Sequence, residues 1–174
     1  MPWQKKTYRE VHRGIKDIFP RLWRYCLLLT GATHHADDLA QSTCLKALEK
    51  SDNFQLGTNL DRWLFTIAKN MWLNERRAQA IRQSGSLSTN ENVDILASRH
   101  TNPDVSIVHS DVLKSILQLP ETQRIVVALV YIEGYSYKDA SKILDIPIGT
   151  IMSRLSTARH KLSRQLTHYR DDVI

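Results

Sequence analysis

The chain has 174 residues, of which 42% are hydrophobic, enough for one domain or two small ones with a buried core. Six glycines and five prolines are few, which favours helices over turn-rich sheets. The formal net charge of +6 indicates a polyanionic partner. The longest apolar run, residues 125–132, is too short to span a bilayer, and the basic start lacks the apolar stretch of a signal peptide. We therefore expect a cytoplasmic protein.

Apolar residues at helical spacing predict four helices in the first half of the chain. A first helix from about Tyr8 is expected to stop near Pro20, and a second to end before Gly31, since glycine commonly terminates helices. In chain order, the predicted helices cover about residues 8–19, 21–30, 36–50 and 60–82.

The periodicity disappears between residues 83 and 101, where serine, threonine and asparagine dominate, and this segment is predicted to be a flexible linker. Asn102-Pro103-Asp104 then has the features of a helix start. Pro120 opens a further helix whose residues 125–132 are apolar all round, so we expect them to be buried. The predicted fold is all-α, with an N-terminal domain at 1–82, the linker at 83–101 and a C-terminal domain at 102–174.

A helix-turn-helix is predicted near the C-terminus. Ser136 and Asp139 resemble a capping box at the start of a short helix that runs to about Leu144. Asp145-Ile146-Pro147 forms the turn, and the second helix runs from Ile148 to about Arg164. Ala140 is small, which lets the second helix pack closely across the first.

One face of this second helix carries the chemistry that reads duplex DNA. Its opposite face is a buried stripe of Ile151, Leu155, Ala158 and Leu162. Residues 148–170 contain five Lys/Arg and no Asp/Glu, which suits base edges and phosphates in a major groove better than an ordinary solvated face. The candidate DNA-facing residues are Thr150, Ser153, Arg154, Thr157, His160, Lys161 and Arg164.

A second candidate site lies on the fourth predicted helix, on the face away from its core stripe. Phe65, Lys69, Trp72 and Arg76 interleave aromatic rings with cations, a pattern that suits unpaired DNA. The alternative is that Phe65 and Trp72 pack against a neighbouring helix, and the sequence does not decide between the two.

A third candidate site lies on the third predicted helix, where Leu45 stands among acids and amides such as Asp38 and Gln41. This face is either a protein-binding site or simply contains one exposed leucine.

No residues predict a cofactor, a metal site or catalysis. Adjacent His34 and His35 are expected to point apart on a helix, and Cys26 and Cys44 to be buried thiols. Since no known catalytic motif appears, we expect that the chain is not an enzyme.

Three blocks together resemble the extracytoplasmic-function sigma factors, the smallest class of the bacterial sigma family. Residues 37–48 resemble the family's polymerase-binding helix, and residues 63–77 its promoter-melting helix. Residues 119–124, 133–137 and 146–151 resemble its C-terminal helix-turn-helix domain. The blocks span most of residues 22–166, and their order and spacing are more specific than any one of them.

The resemblance implies an all-α protein that binds core RNA polymerase and directs it to promoters. Asp38, Gln41 and Leu45 would dock on the polymerase clamp, and the loop 54–59 would help to hold a flipped base. For opening the minus-ten element, the resemblance implies Asn70, Trp72, Asn74, Arg76 and Arg77. Lys69 is added to this set because it lies on the aromatic-basic face. Those implied or expected for the minus-thirty-five element are Thr150, Ser153, Arg154, Thr157, Lys161 and Arg164.

The resemblance also implies an anti-sigma protein, soluble or membrane-bound, that masks both DNA-binding domains. The chain departs from the family pattern at Met152 and Thr157, where basic residues are frequent, and at Asp145, where glycine is usual. Aspartate tolerates the left-handed conformation that such a turn needs better than most residues do.

Two other functions fit parts of the sequence. A helix-turn-helix regulator that binds operators as a dimer would explain the C-terminal domain but leave the first domain unexplained. A sigma-like decoy would bind an anti-sigma protein without starting transcription, although the aromatic-basic face argues against it. For the sigma factor itself, we expect weak binding to free promoter DNA, because each domain alone offers little surface.

Overall fold

The computed structural model describes residues 2–84 and 111–171, with side chains described for residues 6–82 and 112–165. These residues form helices and turns without a strand, which confirms the predicted fold class. The helices are α1 (Pro2–Thr30), α2 (Thr33–Glu49), α3 (Leu60–Ser84), α4 (Asp111–Leu117), α5 (Glu121–Val127), α6 (Tyr137–Leu144) and α7 (Ile148–Asp171). Nearly all of the predicted linker, and the predicted helix start at Asn102, lie outside the described residues.

The prediction of two helices before Gly31 was wrong, because α1 runs unbroken through Pro20. Proline removes one helical hydrogen bond and crowds the preceding turn. Val11 on one side of Pro20 and Leu22 on the other are both fully buried in the same core, so packing holds the two halves in one helix. The helix ends where predicted, with Gly31 at a left-handed φ of 78°.

The helices α1–α3 form an N-terminal bundle. Tyr25 of α1 stacks on Phe65 of α3 with ring centroids 4.6 Å apart, and both rings are fully buried. Phe65 therefore belongs to the core of the structure, although the periodicity of α3 placed it on the face opposite the core stripe.

The helices α4–α7 form a C-terminal bundle, in which α5 passes directly into a π-helical turn at Ala128–Ile132. Burial throughout residues 125–132 was predicted, and this was wrong for Tyr131, while Val130 and Ile132 are half-buried against the core. Tyr131 is 50% exposed, while Leu129 is fully buried. A π turn adds a residue to the helical repeat, here with the Glu133 amide donating to the Ala128 carbonyl at 2.9 Å, so it shifts the residues that follow to another face.

The helix-turn-helix is formed by α6 and α7 as predicted. Ser136 caps α6 by accepting a hydrogen bond from the Asp139 amide at 3.1 Å. Asp145 adopts the left-handed conformation, at φ 56°, and Ala140 is fully buried at the crossing of the helices. The helix α7 extends to Asp171, beyond its predicted end, and its stripe of Ile151, Leu155 and Ala158 is buried.

Loss of the Ser136 cap gives a first testable prediction. We expect Ser136→Ala to destabilise the C-terminal bundle by about 1 kcal/mol, because the Asp139 amide loses its acceptor. Urea unfolding followed by circular dichroism measures this loss. Ser136→Thr keeps a hydroxyl that accepts from the Asp139 amide and donates to the Asp139 carboxylate, so it should stay close to wild type; equal losses in the two variants would contradict the capping role.

Across residues 2–84 and 111–171, every helix falls short of the combined length and hydrophobicity that a membrane span requires.

Candidate nucleic-acid interface

The predicted duplex-binding face of α7 lies at the surface. Ser153, Thr157, Lys161 and Arg164 are exposed, and Thr150 and Arg154 are half-buried beside them. The Ser153 and Thr157 hydroxyls donate to backbone carbonyls one turn earlier, each at 3.1 Å, which leaves their oxygen lone pairs as acceptors. Hydroxyl, ammonium and guanidinium groups thus share one exposed helix face.

The candidate protein-binding face of α2 is also at the surface. Asp38 and Gln41 are exposed, and Leu45 is 63% exposed on the next turn. Thr43 and Ala47, on the other side of the helix, are buried against the N-terminal bundle. Leu45 is therefore an apolar side chain surrounded by polar groups, with nothing in the core that requires it.

The aromatic-basic face of α3 is divided between surface and interior. Asn70, Asn74 and Arg77 are exposed, whereas Lys69 and Trp72 are 7% and 6% exposed. The sequence left open whether the aromatic rings meet DNA or a neighbouring helix, and in this structure they pack against other side chains. Burial lowers the pKa of Lys69, although the charge of Asp145 partly opposes this change.

The C-terminal bundle covers this part of α3. The Trp72 indole N–H donates to a Glu121 carboxylate oxygen at 2.9 Å, and the Arg76 Nε lies 3.9 Å from the other oxygen. The Arg76 guanidinium also lies 5.8 Å from the centre of the Trp72 ring. Tyr135 presents its edge to Phe65 with ring centroids 5.9 Å apart.

Ion pairs join the two bundles beside this contact. The Glu133 carboxylate accepts hydrogen bonds from Arg21 at 2.7 Å and from Arg24 at 2.5 Å, and its side chain is only 1% exposed. Arg62 pairs with Asp139 at 2.8 Å. Gly134, at φ 74°, and the π turn before it set the direction of the chain between Glu133 and Tyr135.

Arg124 is a structural residue that sequence reasoning missed. Its guanidinium enters the N-terminal bundle and donates to the carbonyls of Leu28 and Leu29, in the last turn of α1, and to those of Leu117 and Leu119. Burial lowers the pKa of Arg124, which nevertheless remains a cation at neutral pH. The sequence did contain a signal for this role, because Arg124 directly precedes an all-apolar segment. The side chain of an arginine in a buried helix has little access to water and must find its hydrogen-bond acceptors inside the protein.

The loop 54–59 combines an anchored start with an exposed tip. Phe54 is buried and lies 5.2 Å from the Trp63 ring, while Gln55, Thr58 and Asn59 are exposed. Gly57 adopts a φ of 82° with open space around it. The loop therefore offers polar side chains at the surface next to the start of α3.

The histidine pair does not point apart as expected. The rings of His34 and His35 lie 4.0 Å apart, and His35 also approaches Trp72 at 6.4 Å. Even so, no group of three or more metal-ligating side chains occurs in the described ranges. Cys26 is buried, which raises its pKa to about 12 and makes its thiol a poor nucleophile at neutral pH.

Two family models match the chain in the order of the two bundles. Sigma-70 region 2 matches residues 15–81, and sigma-70 region 4 matches residues 109–162. The first match contains α2 and nearly all of α3, and the second contains the helix-turn-helix.

Curated proteins are similar over most of their length. The ECF RNA polymerase sigma factor EcfG of Rhodopseudomonas palustris is 35% identical over 150 residues, covering 84% of this chain and 80% of that protein. The ECF RNA polymerase sigma factor SigW of Bacillus subtilis is 26% identical over 179 residues, covering 93% of this chain and 96% of that protein.

Solved structures share the fold. The sigma factor RpoE, in complex with the anti-sigma factor NepR from Bartonella quintana, is 32% identical with a TM-score of 0.70 and covers 91% of this chain and 98% of its own. CnrH, in complex with the cytosolic domain of CnrY, has a TM-score of 0.64 at 20% identity, covers 95% of each chain and supports the fold alone. From the two sigma-70 matches and the identity to curated relatives, the chain belongs to the extracytoplasmic-function (ECF) RNA polymerase sigma factors.

Proposed function

We propose that this alternative sigma factor divides its work between its two domains, residues 1–82 and 102–174. The first would bind core RNA polymerase through α2 and open the minus-ten element with α3. The second would read the minus-thirty-five element as duplex with α7. The observation that carries this division is the exposed face of α7, which presents Ser153, Thr157 and Lys161 without a carboxylate among the described side chains of that helix.

Polymerase docking is assigned to Asp38, Gln41 and Leu45. An exposed leucine within a polar rim has the layout of a small protein interface, because the apolar side chain gains from desolvation while the rim supplies specificity. Support comes from the burial pattern of α2, in which Leu45 is 63% exposed although the neighbouring Ala47 is fully buried.

Opening of the minus-ten element is assigned to Lys69, Asn70, Trp72, Asn74, Arg76 and Arg77. Indole rings stack on bases, and guanidinium and amide groups bind phosphates and base edges. The loop 54–59 lies beside the start of α3 and is proposed to hold a flipped base. The energetic cost of unstacking, a few kcal/mol per base, would be offset by duplex contacts and by docking on the polymerase.

The chain would contribute recognition, and the polymerase would carry out the covalent chemistry. No cofactor is proposed. Because its partners would be core polymerase and promoter DNA, we place its activity in the cytoplasm. The relative RpoE was solved in complex with the anti-sigma factor NepR, and at 32% identity we propose that an anti-sigma protein also regulates this chain, whether soluble or membrane-bound.

The test is transcription in vitro with purified chain, sigma-free core polymerase and a library of random promoter sequences. We expect discrete transcripts that depend on the chain and yield its promoter consensus. Arg154→Ala should lower promoter-specific transcription about tenfold or more, because a lost base or phosphate contact costs 1–3 kcal/mol. Asn70→Ala and Arg77→Ala, both at exposed positions of α3, should reduce open-complex formation measured by permanganate reactivity.

Arg159→Ala is a suitable control, since Arg159 is an exposed α7 residue outside the proposed contacts. Binding to core polymerase without any transcript would favour a sigma-like decoy. Neither core binding nor transcripts, with a palindromic DNA site and a dimer in solution, would favour an operator-binding regulator.

A further inference from the structure

We propose that the C-terminal bundle of this chain acts as an internal substitute for DNA, holding the protein in a closed form in which its carboxylates occupy the minus-ten face of α3. This inference rests on the proposed role of α3 in opening promoter DNA. In the closed form, a promoter and the C-terminal bundle compete for the same side chains.

The ion pairs between the two bundles all have the same polarity. Every interbundle ion pair between described side chains joins a carboxylate of the C-terminal bundle to an arginine of the N-terminal bundle. The carboxylates are Glu121, Glu133 and Asp139, and the arginines are Arg21, Arg24, Arg62 and Arg76. A surface that binds nucleic acid is basic, so an acidic surface is its natural competitor.

Glu121 makes the most specific of these contacts. Its carboxylate accepts from the Trp72 indole N–H at 2.9 Å and lies 3.9 Å from the Arg76 Nε. An indole N–H and a guanidinium are pure donors, and a carboxylate is a pure acceptor, as is a phosphate. Glu121 therefore satisfies the indole donor of Trp72 and offsets the charge of Arg76, two groups that α3 would otherwise offer to melted DNA.

Burial makes the competition exclusive. Trp72 is 6% exposed and Lys69 is 7% exposed, so neither side chain can stack on a base or reach a phosphate while the bundles stay together. The Tyr135 edge on Phe65 closes the same face from the other side. In contrast, Ser153, Thr157 and Lys161 of α7 stay exposed, so closure leaves the proposed duplex-reading face open.

Glu133 is a position at which two ion pairs between the bundles can be removed without replacing a residue of the apolar core that the bundles share. Its own side chain is 1% exposed, but its partners Arg21 and Arg24 are 38% and 42% exposed. When Glu133 is replaced, both guanidinium groups remain hydrated, so the main loss is the contact between the bundles. A lysine at this position adds repulsion from both arginines.

The experiment compares full-length wild type with Glu133→Lys and, as an independent disruption, Glu121→Lys. Small-angle X-ray scattering measures the radius of gyration, and fluorescence anisotropy measures binding of a labelled single-stranded DNA of random sequence. We expect both variants to be larger than wild type and to bind the oligonucleotide about tenfold more tightly, because the competent open form becomes the main one. Circular dichroism checks that the helix content is retained.

Each lysine variant also gains positive charge, which alone strengthens DNA binding. Glu49→Lys makes the same charge change at an exposed position of α2 and should leave the radius of gyration unchanged and DNA binding within about twofold. Adding Arg24→Glu to Glu133→Lys creates a new opposite-charge pair and should restore the compact form and weak DNA binding.

Unchanged size in both interface variants would refute a closed form held by these carboxylates. An increase in size with DNA binding no tighter than that of Glu49→Lys would refute competition with DNA. Neither readout involves polymerase, so failure of the proposed function would appear separately, as absence of promoter-specific transcripts from wild type and from both opened variants.

Discussion

Replacement of Arg124 by methionine is expected to destabilise the folded chain by about 3 kcal/mol, because four backbone carbonyls lose a common donor in a buried place. Two of them, Leu28 and Leu29, lie in the last turn of α1, where no helical amide follows to pair with them. Leu117 is the last residue of α4, and Leu119 lies in the connection to α5. Methionine occupies much of the space of the arginine's aliphatic chain but donates no hydrogen bond.

The measurement is urea unfolding followed by circular dichroism. Arg159→Met is the matched control, since Arg159 is exposed on α7, and it should change the unfolding free energy by less than about 0.5 kcal/mol. Arg124→Lys keeps the charge but has a point-like ammonium in place of a planar fork, so it should lose most of the same stability. A loss for Arg124→Met no larger than that of the control would contradict the role assigned to the guanidinium.

Much of the fold could be predicted from the sequence because its signals are local. The start of α6 could be predicted from the capping residues Ser136 and Asp139, and the turn after it from Asp145, which tolerates a left-handed backbone. These preferences depend on few neighbouring residues. The break predicted at Pro20 was wrong for the opposite reason, since burial of Val11 and Leu22 on either side is a tertiary effect that overrides the local preference of proline.

The candidate sites divide in the same way. Helical spacing places Ser153 and Lys161 on one face of α7, and the structure leaves that face exposed. Spacing also puts Phe65, Lys69 and Trp72 on a shared side of α3, but periodicity cannot say whether that side meets solvent, DNA or another helix. What covers that side depends on Glu121 and Tyr135, which are distant from α3 in sequence. It also depends on a π turn that could not be predicted from the local sequence pattern.

Arg124 illustrates what a site search by residue type misses. Arginine is a common nucleic-acid-binding residue and this chain is basic, yet the Nε and both terminal nitrogens of Arg124 donate to backbone carbonyls within the protein. The net charge of the chain includes Arg124, but because Arg124 is buried, its guanidinium is not available to bind DNA.

Replacement of Leu45 by aspartate is expected to weaken binding to core RNA polymerase by at least about 30-fold while leaving the chain folded. At 63% exposure, the leucine contributes little to the core, so the substitution should lower the free energy of unfolding by no more than about 1 kcal/mol, mostly through the lower helix propensity of aspartate. In the complex, an aspartate would place an unpaired charge where an apolar side chain is proposed to be desolvated. Biolayer interferometry with immobilised core polymerase measures the affinity.

Met152→Asp is the matched control for Leu45→Asp, because Met152 is also a long apolar side chain, 53% exposed, but lies on α7, away from the proposed docking face of α2. It should leave core binding unchanged, because the new carboxylate does not meet the polymerase surface proposed for α2. Leu45→Asp should lower transcription only at limiting chain concentration, because excess protein restores the complex by mass action. Equal core affinity for wild type and Leu45→Asp would remove α2 from the proposed docking surface and leave the assignment of α7 to duplex DNA intact.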